Sequence, residues 1–236
     1  MEPQFYKGNR DAFMEKLAPG SLALFFSGVP VRKTADEDYA YFANRNFVYL
    51  TGMEQKDTIL MLEKDAFGYR ETLFILPPNL IEERWTGARM KPEEIEAASM
   101  ISNFAYRDTF EEELKKVLAS GRIEKVYLDI DRMDGQVVVS GADSMETFLK
   151  QEYPNLLIEN SLPILKKLRL IKKPCEIRAM EKAQEITKAG ILAMMTHSKP
   201  GMYEYQYKAE FDYALAQHGV LEAGFPSIIS AGKNNF

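Results

Sequence analysis

Two histidines, one cysteine and a single tryptophan limit the chemistry open to this chain. His197 and His218 do not form a His-Glu-x-x-His pattern, so the common zinc-peptidase helix is absent. Each stands where a helical stretch runs out, before "SKPG" and before Gly219, where a cation favours the negative end of the helix dipole. Both read as structural. Asp129, Asp131 and Asp134 ahead of Gly135 partly match a calcium loop. The register fails: Met133 falls where a ligand is required, Gly135 comes one place late, and Ser140 replaces the bidentate glutamate. The stretch reads as a strand end entering an acidic turn. Cys175 stands in the first turn of a helix, yet no histidine neighbours it in sequence to activate it. "SAGKNN" lacks the spaced first glycine and the Ser/Thr of a phosphate-binding loop. The many carboxylates sit on amphipathic stretches as solvated faces, so no acid–base pair stands out.

Trp85 differs. In "IEERWTGARM" it lies between Arg84 and Arg89, close to Gly87, in a connection from strand to helix. A large aromatic on a glycine-containing loop suits a contact or substrate-facing surface, with ordinary packing as the alternative. These residues make no complete active site, so the elements that carry them matter more.

With 236 residues, 46% apolar and 28% charged, the chain has the composition of a soluble globular protein with a sizeable core. A net charge of −5 gives no general affinity for nucleic acid or anionic membranes, and no apolar run is long enough to span a bilayer. "MEPQFYKGNRDAF" has no basic stretch followed by an apolar one, as a secretory signal would. One cysteine excludes an internal disulfide, and a reducing cytoplasm is the expected location.

"RDAFMEKL" reads as a helix and "SLALFFSG" as a buried strand. After the polar loop "VRKTADED", the runs "NFVYLTG", "DTILMLEK" and "ETLFILPP" read as three strands of an antiparallel meander. "KPEEIEAASM" reads as a helix with Pro92 in its first turn, and "TFEEELKKVLAS" as a helix opened by a Thr109/Glu112 capping box. The strand "KVYLDI", the helix "SMETFLKQEY" and the strand "LLIENS" follow. This alternation predicts an α/β domain with a mixed sheet flanked by helices. "LPILKKLRLIKKP" reads as a solvated linker helix, with Leu165, Leu168 and Ile171 facing protein, rather than a nucleic-acid patch. A long helix opens at Pro174 and breaks at Pro200-Gly201. A second helix spans "YEYQYKAEFDYALAQHG", then comes the strand-like "PSII". The expected division is residues 1–160, a linker helix over 161–173, and the start of a second domain over 174–236. The close on "SAGKNNF" reads as the middle of that domain.

Four stretches in order carry a resemblance. "YFANRNFVYLTG" resembles the Arg-x-x-x-Tyr-Leu-Thr-Gly signature of the N-terminal domain of Xaa-Pro aminopeptidases, creatinases and prolidases. "ERWTGARM" is similar to the Trp-x-Gly-x-Arg loop of the same domain. "LRLIKKPCEIRAMEKAQEITKAGI" resembles the junction that follows, and "PGMYEYQYKAEFDYALAQHGVLEAGFPSIISAGKNN" the next stretch of the catalytic domain. The resemblance implies a creatinase-type N-terminal domain followed by an incomplete pita-bread (α+β) catalytic domain.

For the full-length family it further implies metal-dependent release of an N-terminal residue preceding proline. Two divalent metals, commonly manganese, are bound there by two aspartates, a histidine and two glutamates. Two metals sharing a hydroxide activate the nucleophile and stabilise charge on the scissile carbonyl. No residue of this sequence matches those ligands or the family's catalytic histidines, so no catalytic or metal position is carried over and the 236 residues alone are expected to be inactive. The implied partners are peptides with proline at the second position and further copies of the chain. Trp85, Arg84 and Arg89 then become candidates for substrate access or subunit contact. The alternatives are a prolidase, or a non-catalytic peptide-binding module of the same fold, as in the large subunit of a histone chaperone.

Overall fold

The structure, a computed structural model, describes residues 1–132 and 139–235. Two compact units appear, Met1–Ile171 and Lys172–Phe236. The first unit begins with α1 (Pro3–Met14), β1 (Ser21–Phe26) and a small ribbon of β2 (Arg32–Thr34) and β3 (Glu37–Asp38). Next come α2 (Arg45–Thr51), β4 (Ile59–Lys64), β5 (Tyr69–Ile75), α3 (Leu80–Thr86), α4 (Pro92–Ser99) and β6 (Phe104–Tyr106). It closes with α5 (Phe110–Ala119), β7 (Lys125–Leu128), α6 (Gly141–Glu152), β8 (Leu157–Asn160) and α7 (Leu162–Leu170). The second unit contains α8 (Pro174–His197) and α9 (Glu204–Gln217).

Six strands form one sheet in the order β6-β5-β4-β1-β7-β8. The β1/β4 and β4/β5 pairs are antiparallel, while β5/β6, β1/β7 and β7/β8 are parallel, so the sheet is mixed. β1 is buried on both faces, which its unbroken apolar run requires. Leu22 and Leu24 join Ile59, Met61 and Phe74 under α5 and α6, through Phe110, Leu114, Val117, Ala142 and Leu149. On the opposite face Phe25 meets Phe13 of α1 edge-on, at 5.2 Å between ring centroids. Alternation along each strand therefore divides one sheet between two helical layers.

"NFVYLTG", expected as a strand, is the helix α2. Asn44 Oδ1 accepts from the backbone N–H groups of Asn46 (2.8 Å) and Phe47 (3.0 Å), and Gly52 closes the helix at φ 74°. The aromatic and β-branched content suggested a strand, but caps at both ends and burial of Phe47, Leu50 and Thr51 impose the helical period. Any Cβ at position 52 would stand 2.4 Å from the Tyr6 ring, so glycine is required for packing as well as for its dihedral. The antiparallel meander is formed instead by β1, β4 and β5.

Four smaller expectations also change. Thr109 makes no side-chain cap; its hydroxyl donates to Tyr106 O at 2.8 Å in a 3₁₀ turn leading into α5. The polar loop after β1 pairs as β2 and β3, with Arg32 on Asp38 at 3.1 Å. "PSII" takes no regular structure. In the linker helix, Leu162 and Leu165 are buried, whereas Ile171, past its end, is exposed.

Arg10 sits at the centre of the α1 layer, fully buried. Its Nε donates to Glu71 Oε2 at 2.7 Å and its Nη2 to Glu71 Oε1 at 3.2 Å. Nη1 reaches Leu50 O at 2.8 Å and Nη2 also reaches Ser99 O at 2.9 Å, so one guanidinium joins α1, α2, α4 and β5. Bidentate pairing with further backbone acceptors is the geometry that makes burying such a charge tolerable.

Asp129, at the end of β7, is buried too. Asn46 Nδ2 donates to its two oxygens at 2.9 and 3.0 Å, and Asn46 Oδ1 accepts from Arg169 Nη1. The acidic turn expected here therefore begins with a carboxylate turned inward to α2 and α7. Asp134, with Met133 and Gly135, lies outside the described residues. Burial raises the Asp129 carboxyl above the usual aspartate range, against the opposing hydrogen bonds from Asn46 and Asn44.

Two outcomes follow. Arg10→Ala strands Glu71 and two carbonyls and lowers stability in urea by about 3–5 kcal/mol; Arg10→Met combined with Glu71→Leu costs less, since no charge is then left unpaired. For Asp129 the folded state holds the proton more tightly than the unfolded one. Its contribution is greatest below the ordinary aspartate pKa and falls as pH rises through the raised value. Urea melts between about pH 3 and about pH 7 should show that Asp129→Asn removes this falling component.

Candidate functional site

α3 carries the residues singled out by the sequence. Asn79 opens it, its Oδ1 accepting from the N–H groups of Ile81 and Glu82 at 3.2 Å each, while Asn79 N donates to Glu83 Oε1 at 2.8 Å. Two acids in the first turn and Arg84 in the last suit the helix dipole. Gly87, at φ 90°, ends the helix.

One side of α3 is tied to the scaffold. Glu82 accepts from Lys56 Nζ at 2.8 Å and from Arg89 Nη2, and Arg89 Nη1 reaches Pro77 O. Lys56 first, with Arg89 assisting, holds the Glu82 carboxyl below the usual range. Arg89 thus folds the turn after α3 back onto the end of β5.

The other side meets solvent. Leu80, Ile81, Arg84 and Trp85 are exposed, Trp85 at 88%. Spacings of one, four and five residues put these four on one side of a helix. Trp85 is therefore neither on a loop nor packed into the core. The three residues named from sequence lie within one helix and its turn, but they divide: Arg84 and Trp85 face out, and Arg89 braces them from within. Beside the turn lies a groove of about 370 Å³, bordered by Tyr39, Tyr41, Gln55, Leu76, Ala88 and Arg89. Tyr41 is fixed there by bonds from its hydroxyl to Ser27 O (2.9 Å) and Gln55 O (3.2 Å). The aromatic cluster "DYAYF" was the available signal for this wall, and Leu80 and Ile81 carried none because they read as ordinary apolar residues.

In the second unit α8 and α9 pack closely at Gly190, where a Cβ would stand 2.5 Å from the Phe211 ring. His197 Nδ1 lies 2.6 Å from Glu210 Oε2, joining the two helices. His218 is exposed at the end of α9, its N–H bonded to Leu215 O. Cys175 is a free, half-buried thiol. Among the described residues no three His, Cys, Asp or Glu side chains converge to hold a metal ion, and no helix is long and apolar enough to cross a membrane. The described residues offer no such cluster for the metal pair that the sequence resemblance implies.

The family model for the aminopeptidase P N-terminal domain matches residues 6–127, and that for metallopeptidase family M24 matches residues 178–235. The Xaa-Pro aminopeptidase of Escherichia coli is 27% identical over 98% of this chain and 53% of its own length. Human Xaa-Pro aminopeptidase 3 is 24% identical over 85% of this chain and 40% of its own. The chain spans about half the length of the curated relatives it matches. Among solved structures, a Bacillus anthracis protein assigned as an aminopeptidase P superposes with a TM-score of 0.94 at 31% identity, covering 99% of this chain and 56% of that one. E. coli aminopeptidase P with the inhibitor Pro-Leu gives 0.80 at 27%, covering 94% and 51%. A mixed sheet with helices on both faces, followed by a paired-helix unit, and matched in the same order by both family models, shows that this chain belongs to the aminopeptidase P family.

Proposed function

We propose that the protein containing this chain removes the N-terminal residue from peptides whose second residue is proline, with two divalent metal ions, assigned here as manganese, in the cytoplasm and as a homo-oligomer. The observation carrying this reading is the likeness to E. coli Xaa-Pro aminopeptidase along 98% of the chain, through both units in order. A dedicated enzyme suits the chemistry, since the nitrogen of an Xaa-Pro bond bears no hydrogen and the ring fixes the backbone. No hydrolytic step is assigned to a residue of 1–236. This stretch supplies the N-terminal domain and the opening helices of the catalytic one, divided over 1–160, 161–173 and 174–236. Arg84 and Trp85 contact incoming peptide or a neighbouring subunit, and Arg89 positions them.

The test is a release assay on protein expressed from the natural reading frame, with manganese, on Xaa-Pro peptides and on the same peptides carrying alanine instead of proline. Proline-dependent release that a chelator abolishes is expected. No release, or equal release from the alanine series, overturns the reading, and peptide capture without cleavage points to a non-catalytic binding module. Residues 1–236 alone should release nothing.

Two variants separate contact from positioning. In the active protein Trp85→Ala lowers kcat/KM on long peptides by roughly tenfold or more, as truncating an aromatic contact residue does, and leaves amide exchange over residues 80–86 unchanged. Arg89→Ala lowers the same kcat/KM and also accelerates that exchange, because Glu82 and the turn lose their tether.

A further inference from the structure

A cavity of about 420 Å³ opens in the first unit between the end of β1, α5 and α6. Its inner wall is apolar, formed by Phe26, Phe110, Leu114, Met145 and Phe148, and continuous with the core beneath the sheet. Gly28 leaves bare backbone on another side: it sits at φ 93°, with no atom within 4 Å of where a Cβ would stand. The position is the carboxyl end of β1, which runs parallel to β7, a place where α/β sheets commonly take ligands.

The polar groups are few and gathered at the mouth. Asp57 is held at φ 48°, a left-handed conformation uncommon outside glycine, with its N–H bonded to Gly28 O at 2.8 Å. Its Oδ1 accepts from Arg107 Nε at 2.9 Å, and the guanidinium stands 5.5 Å from the Phe110 ring centroid. Among the described residues the Nη groups of Arg107 make no hydrogen bond, and exposed Glu111 on the same wall makes no ion pair. Asp57 and Arg107 neutralise each other, leaving a guanidinium edge able to grip a carboxylate and, at Glu111, a carboxylate suited to an ammonium.

We propose that this cavity binds a free α-amino acid with a large apolar side chain. The carboxylate lies on the Arg107 Nη edge, the ammonium faces Glu111, and the side chain fills the apolar wall, where its burial supplies most of the affinity. A simple acid would leave Glu111 unanswered, and a simple amine would leave the Arg107 Nη donors without an acceptor. The volume falls in the range of small-molecule sites. The inference does not depend on the peptidase reading.

Calorimetric titration of the 236-residue chain with L-phenylalanine, 3-phenylpropionate and phenethylamine tests it. The amino acid should bind at least about tenfold more tightly than either single-charge analogue, and Arg107→Gln should remove about tenfold from its affinity without weakening phenethylamine, since Asp57 is then left uncompensated. Ser144→Trp, which fills the mouth from the surface of α6, should abolish binding of all three. No binding of L-phenylalanine, equal affinity for either analogue, or binding that survives both variants overturns the proposal. Should the tryptophan variant fail to fold, Arg107→Gln decides alone.

Discussion

Arg10 is the interaction on which the α1 side of the first unit depends. A fully buried guanidinium must find acceptors for a rigid fork of donors, and here each acceptor comes from a different part of the chain. Glu71 lies on β5, Leu50 near the end of α2, and Ser99 at the end of α4. Satisfying the charge therefore requires three helices and a strand to meet in one arrangement. Hydrophobic contacts such as Phe13 on Phe25 supply much of the burial energy, but they tolerate sliding. The guanidinium does not.

Among the described residues the opposite layer has no such centre. α5 and α6 pack on the sheet through apolar side chains, and the cavity at the end of β1 is lined by both helices. Order by directional bonds on one face and by shape on the other gives a scaffold that is fixed where α2 and α4 must be held and has room beside α5. α3 lies outside both layers. Its inner side is secured by Glu82, Lys56 and Arg89, which is what allows the outer side to expose a tryptophan without losing the helix.

The second unit follows a different rule. Gly190 lets α8 and α9 approach until Phe211 and Leu215 rest on backbone, while Ile177, Met180, Leu192 and Met195 remain exposed along α8. A helix pair presents more apolar surface than it can cover between two cylinders, so its contact is local even where the apolar pattern is long.

The sequence by itself determined the strands β1, β4, β5, β7 and β8, the helices opened by Pro92 and Pro174, and the mixed α/β class, because apolar runs and proline act within a few residues of chain. The four ordered motifs likewise marked the family before any coordinate. Tertiary structure decided what local pattern left open. "NFVYLTG" became a helix because Asn44, Gly52 and the Tyr6 ring met around it. Arg10 carried no signal in the sequence and Asp129 read as the start of an acidic turn, since their partners lie 40 to 89 and 83 residues away. Arg84, Trp85 and Arg89 looked alike in sequence, and only the path of the turn after α3, bound to Pro77 and Glu82, set Arg89 inside and the other two out. Contacts between residues far apart in the chain leave no periodic trace, so the fold class was readable and the roles of single charged residues were not.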